Sequence, residues 1–265
     1  MWKTFQQTLI LDGNSIPSLE KDVFKSVGLL NLRIISLRDC GIEYLDDNAF
    51  RDLKIMTSLD LSQNNLTKIL PKTFDGNDNL KTVKLSQNQI TALDYYQFPP
   101  LSSLKSIDLS HCQISSVDKT AFKNLGRSVE TVNLDNNYLT TMREEVFVTL
   151  TNLKALTLHH NPWVCDCKLK NFRDYVIHKR LYNRPTACSE PSRLYQKHWD
   201  DIQQKDFACK PHITIPFSGR VFGAENVDAT LACEVMGSPV PYVKWVIDGR
   251  IINNNSHPQP FADQG

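Results

Sequence analysis

The stretch MTSLDLSQNNL, residues 56–66, is followed by LKTVKLSQNQI, residues 80–90, and the two share one frame. An aliphatic or Met side chain opens it (Met56, Leu80). Aliphatics recur at its fourth, sixth and eleventh places (Leu59, Leu61, Leu66; Val83, Leu85, Ile90), and Asn stands ninth (Asn64, Asn88). The frame fits again from Leu32, Leu104, Val129 and Leu153, with a degenerate copy opening at Gln6, so seven copies succeed one another 24 to 26 residues apart. Side chains alternate faces along a strand, so the paired aliphatics predict a short strand with an inward face. The Asn is expected to turn inward, its amide serving backbone groups at the bend. Phe24, Phe50, Phe74, Phe98, Phe122 and Phe147 form a second apolar series, most of them three residues before a Leu, and are expected to fill the far, convex wall. No copy can bury its own apolar edge, so the copies are expected to stack and to draw stability from their neighbours.

The period lies within the band of leucine-rich repeats, and the frame resembles theirs. The resemblance implies a solenoid over residues 1–163, with parallel β-structure on the concave face and irregular or short helical segments on the convex face. Cys40 and Cys112 stand where the frame has Asn. Both are read as buried, small and structural, since a reactive thiol needs an exposed, electropositive setting.

Seven cysteines are an odd number for a secreted chain until they are sorted. Cys165, Cys167, Cys188 and Cys209 form a C-x-C followed by two distant partners directly after the last repeat. Structural zinc sites favour C-x2–4-C knuckles, which this pattern lacks, so disulfides explain it better than a metal. They would staple a small cap, residues 164–210, over the apolar edge of the last coil, and they place the protein outside the cytosol. Leu169, Phe172, Val176 and Leu181 recur at roughly helical spacing and predict a short helix lying on that coil. Spacing alone leaves three pairings of the four cysteines open.

The words NPW-x-CDC, FRDY, LY-x-x-PTAC-x-EP and DFAC-x-P, between Asn161 and Pro211, resemble the C-terminal cysteine-rich flank of extracellular leucine-rich-repeat proteins. More closely they resemble the Kekkon family of arthropod neuronal and epithelial membrane proteins. That resemblance implies the pairs Cys165–Cys188 and Cys167–Cys209. It also implies an intact molecule with an upstream signal and cysteine cap, one immunoglobulin domain, a single transmembrane helix and a cytoplasmic tail. Members are associated with modulating growth-factor receptor signalling and with neuronal development.

From His212 the leucine period stops and alternation begins, as in Thr230–Val235 and Tyr242–Val246, with turns at Gly237-Ser238-Pro239 and Asp248-Gly249. Cys233 and Trp245 are spaced like the strand-B Cys and strand-C Trp of an immunoglobulin sandwich. Residues 211–265 are therefore expected to be an incomplete immunoglobulin-like, all-β domain, with Cys233 a half-disulfide whose partner is missing. The first eight residues, Met1–Thr8, hold no apolar signal core, and the chain is expected to be a fragment cut at both ends. No run of eighteen or more apolar residues spans a bilayer, so membrane attachment is expected only through a helix outside this fragment.

The charge balance, 30 basic against 29 acidic residues, argues against a nucleic-acid binder. No GxSxG, glycine-rich phosphate loop or HExxH is present, and neither an enzyme nor a cofactor is expected. The adjacent His159 and His160, with His111, would not converge on one ion, since strand neighbours face opposite ways, and no metal is expected. The concave face is the default binding surface of a solenoid, and Arg38, Asp60, Lys84, Asp108, Asn133, Asp135 and His159 are its candidate protein-binding residues. Lys168, Lys170, Arg173, Lys179, Arg180 and Arg184 cluster on or beside the cap helix and are candidates for an anionic glycan such as heparan sulphate. Asn65 and Asn254 open N-x-S/T sequons and are candidate glycan acceptors.

The expected function is a non-catalytic ectodomain that binds an extracellular protein ligand or receptor ectodomain, in cell adhesion or modulation of receptor signalling at the plasma membrane. The competing readings are a secreted matrix segment of the peroxidasin type and an immune receptor of the Toll type. The latter lacks an immunoglobulin domain after its repeats.

Overall fold

The computed structural model describes residues 7–214, 233–247 and 250–252. The chain divides into two compact units, Met1–Phe207 and Ala208–Gly265. In the first, seven short strands form one parallel sheet in sequence order: β1 (Thr8–Ile10), β2 (Ile34–Ser36), β3 (Ser58–Asp60), β4 (Thr82–Lys84), β5 (Ser106–Asp108), β6 (Thr131–Asn133) and β7 (Ala155–Thr157). Each copy of the sequence frame supplies one strand. The register is unbroken, with Ser36 against Asp60, Asp60 against Lys84, Lys84 against Asp108, Asp108 against Asn133 and Asn133 against Thr157.

Three ladders hold the coils in step. The central strand residues Ile35, Leu59, Val83, Ile107, Val132 and Leu156 are all buried, as are Leu37, Leu61, Leu85, Leu109, Leu134 and Leu158 two places on. The frame's Asn side chains form the second ladder. Asn64 Nδ2 donates to the Leu37 and Leu61 carbonyls at 2.8 and 2.9 Å, while its Oδ1 accepts from the Cys40 and Ile42 N–H groups at 3.0 Å. Asn88, Asn137 and Asn161 repeat the pattern. Cys40 and Cys112 are free and buried, and their thiols donate to the Leu11 carbonyl at 3.1 Å and the Leu85 carbonyl at 3.4 Å. They take over the donor half of the asparagine's work.

The third ladder is aromatic. Phe24, Phe50, Phe74, Phe98, Phe122 and Phe147 stack with ring centroids 5.6–6.4 Å apart, and Phe172 continues the column at 5.7 Å from Phe147. Apart from single helical turns at Val23–Ser26 and Glu145–Val148 and a 3-10 turn at Lys123–Leu125, the convex side is irregular. Its short extended pairs are Ser18–Leu19 with Tyr44–Leu45 and Ala92–Leu93 with Ser116–Val117.

Where the chain leaves each strand it bends sharply, and the residue before the ladder position carries a left-handed backbone. Asp39, Gln63, Gln87, His111, Asn136 and His160 all have φ between 53° and 59°, and Gly13 has φ 74°. None of these residues is β-branched, as that conformation requires.

The cap is built on α1 (Cys167–His178), whose N-terminus Asp166 caps by accepting from the Lys168 N–H at 2.9 Å. Leu169, Phe172 and Val176 are buried on one face of α1, and Leu181 is buried just beyond it. Trp163 and Trp199 pack edge-to-face at 5.2 Å beside Phe172. Cys165 and Cys188 form a disulfide, and Cys167 and Cys209 are both disulfide-bonded as well. Among the described residues no helix is long and apolar enough to cross a membrane.

In the second unit β8 (Cys209–Thr214) pairs antiparallel with β9 (Glu234–Ser238), and β10 (Trp245–Ile247) pairs antiparallel with β11 (Arg250–Ile252). The expected turn at Gly237-Ser238-Pro239 needs correction. Gly237 and Ser238 lie within β9, and only Pro239, which has no N–H to donate, falls outside. Cys233 is free and half-buried.

Candidate functional site

Around each inward aliphatic, the chain presents side chains to the concave face, and the register sorts them into three columns. The second column runs Ile10, Ser36, Asp60, Lys84, Asp108, Asn133, Thr157. The third, two residues further on, is Asp12, Arg38, Ser62, Ser86, Ser110, Asp135, His159. All seven candidate protein-binding residues lie in these two columns. The first column, Thr8, Ile34, Ser58, Thr82, Ser106, Thr131 and Ala155, was missed by sequence reasoning. It lies at the frame's third position, where small hydroxyl residues recur without a charged side chain to draw the eye.

Much of this polar surface is organised by its own hydrogen bonds. Asp60 Oδ1 accepts from both the N–H and the hydroxyl of Ser62, and its Oδ2 meets Lys84 Nζ at 3.2 Å. Partial burial pushes the Asp60 carboxyl upward, but the Ser62 and Lys84 hydrogen bonds outweigh it and hold the group below its ordinary value. Asp108 repeats the turn with Ser110 at 3.1 and 2.8 Å. Thr131 donates to Ser106 and Thr157 to Asn133, at 2.8 and 2.6 Å. Arg38 Nε reaches the Gln63 side chain at 2.8 Å.

His159 is held from both sides. Its N–H donates to Asp135 Oδ1 at 2.6 Å, Nδ1 lies 3.6 Å from Asp135 Oδ2, and Nε2 hydrogen-bonds the Asn183 side chain in the cap. His160 occupies a left-handed bend, and His111 meets Asn136 at 3.3 Å. Among the described residues no three His, Cys, Asp or Glu side chains gather as a metal site.

Two shallow hollows open on this face. One, of about 250 Å³, is lined by residues of β4 to β7, among them Lys84, Ser106, Ile107, Asp108, Thr131 and Val132. The other, of about 290 Å³, lies among Asp12, Gly13, Arg38, Asp39 and Gln63. The first mixes apolar and polar surface and the second is mainly polar, and both include charged residues in their lining. Such surfaces contribute specificity and encounter rate more than bulk affinity.

The basic cluster on the cap is smaller than expected. Arg173 is not available to a glycan: it is 8% exposed, and its guanidinium donates to the Trp199 and Ile202 carbonyls and to Asp174. It also lies over the Phe207 ring at 5.1 Å. A buried charge with all three guanidinium nitrogens hydrogen-bonded is a structural clamp. Arg184 is exposed but paired with Asp200 at 3.0 Å and Asp201 at 2.7 Å. Lys168, Lys179 and Arg180 are exposed and Lys170 half-buried. Asn65 and Thr67 are both exposed, whereas Asn254 lies outside the described residues.

Comparison with known proteins matches the model described as leucine rich repeat to residues 7–66, 30–90, 56–114 and 102–162. Among curated relatives, leucine-rich repeat and fibronectin type-III domain-containing protein 4 of Rattus norvegicus is 26% identical over 171 residues, 51% of this chain and 26% of the relative. Leucine-rich repeat and fibronectin type III domain-containing protein 1 of Danio rerio is 33% identical over 98 residues, 36% of this chain and 16% of the relative. The chain thus spans about a quarter or less of these relatives' length. Among solved structures, human 5T4 (Wnt-activated inhibitory factor 1, trophoblast glycoprotein) superposes with a TM-score of 0.53 at 20% identity, covering 74% of this chain and 86% of that one. At that identity the likeness speaks to fold.

Proposed function

The chain belongs to the leucine-rich repeat family, and from that premise we propose that it is the protein-binding ectodomain of a cell-surface molecule. Its ligand is another extracellular protein or receptor ectodomain, engaged by the concave face. The observation that carries this reading is the unbroken seven-strand register. It aligns polar side chains from every coil on one surface, with Asp60, Lys84, Asp108, Asn133 and Asp135 side by side. The disulfide-bonded cap supports a location outside the cytosol, because such bonds persist in oxidising compartments. The flank words, by their likeness to Kekkon proteins, favour a single-pass membrane protein that acts in adhesion or tunes receptor signalling. Asn65, exposed on a coil bend, is the proposed glycan acceptor.

The test applies the purified, secreted full chain to cells treated with heparinase, trypsin or neither. Binding that survives heparinase and is removed by trypsin is the expected result. Binding unaffected by trypsin would overturn a protein ligand.

A further inference from the structure

One step before each concave strand the chain builds a further column. The Thr57 N–H donates to the Arg33 carbonyl, Lys81 to Thr57, Lys105 to Lys81, Glu130 to Lys105 and Lys154 to Glu130, all at 2.7–2.9 Å. Parallel strands lie about 4.8 Å apart, so these residues stand on a ladder about 24 Å long that crosses the strands. Arg33, Lys81, Lys105 and Lys154 are exposed. The column's one anion, Glu130, is gripped by Lys105 at 3.0 Å and Lys154 at 2.6 Å. Those contacts hold Glu130 ionised below its ordinary value, and they align both ammonium groups along the ladder. Among the described residues Arg33 and Lys81 have no carboxylate partner.

What lies beside the ladder decides its ligand. The adjoining column offers hydroxyls (Thr82, Ser106, Thr131), which line the 250 Å³ hollow. The ladder and the hydroxyls beside it carry no aromatic side chain of the kind that anchors a tight protein site. A polysaccharide bearing sulphates or carboxylates presents regular anions and many hydroxyls, and needs no apolar pocket.

We propose that Arg33, Lys81, Lys105 and Lys154 bind a linear anionic polysaccharide lying across the strands, parallel to the solenoid axis, with its hydroxyls against Ser106 and Thr131. The ladder sets four cations against one carboxylate, whereas at the cap helix Arg173 is buried and Arg184 alone faces two carboxylates, so the glycan site moves off the cap helix. The inference goes beyond the protein-binding reading. Heparin binding and protein binding are separate measurements, and either can fail alone.

The experiment measures binding of the full chain to heparin fragments of graded length as salt is varied. In the wild type, affinity rises with fragment length and persists at physiological salt. The exposed-site double variant Lys81→Gln/Lys154→Gln loses at least about tenfold, and its salt slope falls by about two cations. The triple variant Lys168→Gln/Lys179→Gln/Arg180→Gln binds as wild type. Unfolding curves for both variants confirm that the fold is retained. Retention of the wild type only below physiological salt would overturn the proposal. So would loss in the cap variant but not the ladder variant, or equal affinity for poly-glutamate of matched charge.

Discussion

Phe172 of the cap helix stacks on Phe147 of the last coil, with ring centroids 5.7 Å apart and planes 28° from parallel. It is the seventh ring of a column that began at Phe24, and it continues the repeat spacing into a segment that is no longer a repeat. The cap therefore closes the solenoid by supplying the next convex residue, and the disulfides hold a plug that packing already shapes.

Phe172→Ala is accordingly expected to cost about 3–5 kcal/mol, the range for emptying a buried aromatic site. With the disulfides intact, hydrogen exchange should show the loss in β6 and β7 and leave β2 and β3 protected. Loss of protection spread evenly over all coils would contradict a local plug.

The Asn ladder predicts unequal effects at equivalent positions. Asn88→Ala strands the Leu66 N–H in the core and leaves the Leu61 carbonyl to Asn64 and the Leu85 carbonyl to the Cys112 thiol, and is expected to cost about 1–3 kcal/mol. Cys112→Asn restores a full acceptor where the Ile90 N–H now faces sulfur, and is expected to be neutral or stabilising. Urea midpoints measured side by side check both.

Burial pushes the Cys112 thiol up, to about 11 from an ordinary value of 9.0. A raised value in the folded state means that its contribution is fully present below pH 9 and is lost as pH rises towards 11. Wild-type stability should therefore fall over that window more than that of Cys112→Ala, measured as urea midpoints across the window. Below it, the native thiol should resist iodoacetamide until the chain is unfolded.

The left-handed column predicts a conformational effect without loss of contact. Gln87→Val, placing a β-branched side chain at φ 57°, is expected to cost about 1–2 kcal/mol. Gln87→Asn should be nearly neutral, and thermal unfolding of the pair separates backbone strain from side-chain loss.

These positions also mark how far the sequence could be read. Aliphatics such as Leu59 and Leu61 announce the strand because one residue class recurs at one spacing. The bend residues Gln63, Gln87, His111 and Asn136 share a backbone conformation but no chemistry, so only their common lack of β-branching betrays them. The burial of Arg173 is legible in the helical spacing. Leu169, Phe172, Arg173 and Val176 fall at helical positions i, i+3, i+4 and i+7, which puts the guanidinium on the buried stripe. Its carbonyl partners, Trp199 and Ile202, are remote in sequence, so no local pattern reveals them. The concave candidates follow from the frame. The pairing of Lys84 with Asp60 and the self-contained Asp108–Ser110 turn depend on register and rotamer, which spacing does not specify.

Arg173→Met should cost about 3 kcal/mol by stranding those two carbonyls, with heparin affinity unchanged in the folded protein. Weakened heparin binding at full folding would return this residue to the glycan surface.

The central claim is that recognition belongs to the concave columns. The direct measurement is the protein-dependent cell binding of a charge-reversed concave variant, Lys84→Glu/Asp108→Lys, beside a convex control, Lys72→Glu/Asp75→Lys, both matched to wild type in thermal unfolding. The concave variant should lose at least about tenfold in affinity, in keeping with charge pairs at a recognition surface, while the control binds as wild type. Undiminished binding by the concave variant, or equal loss in both, would contradict the account.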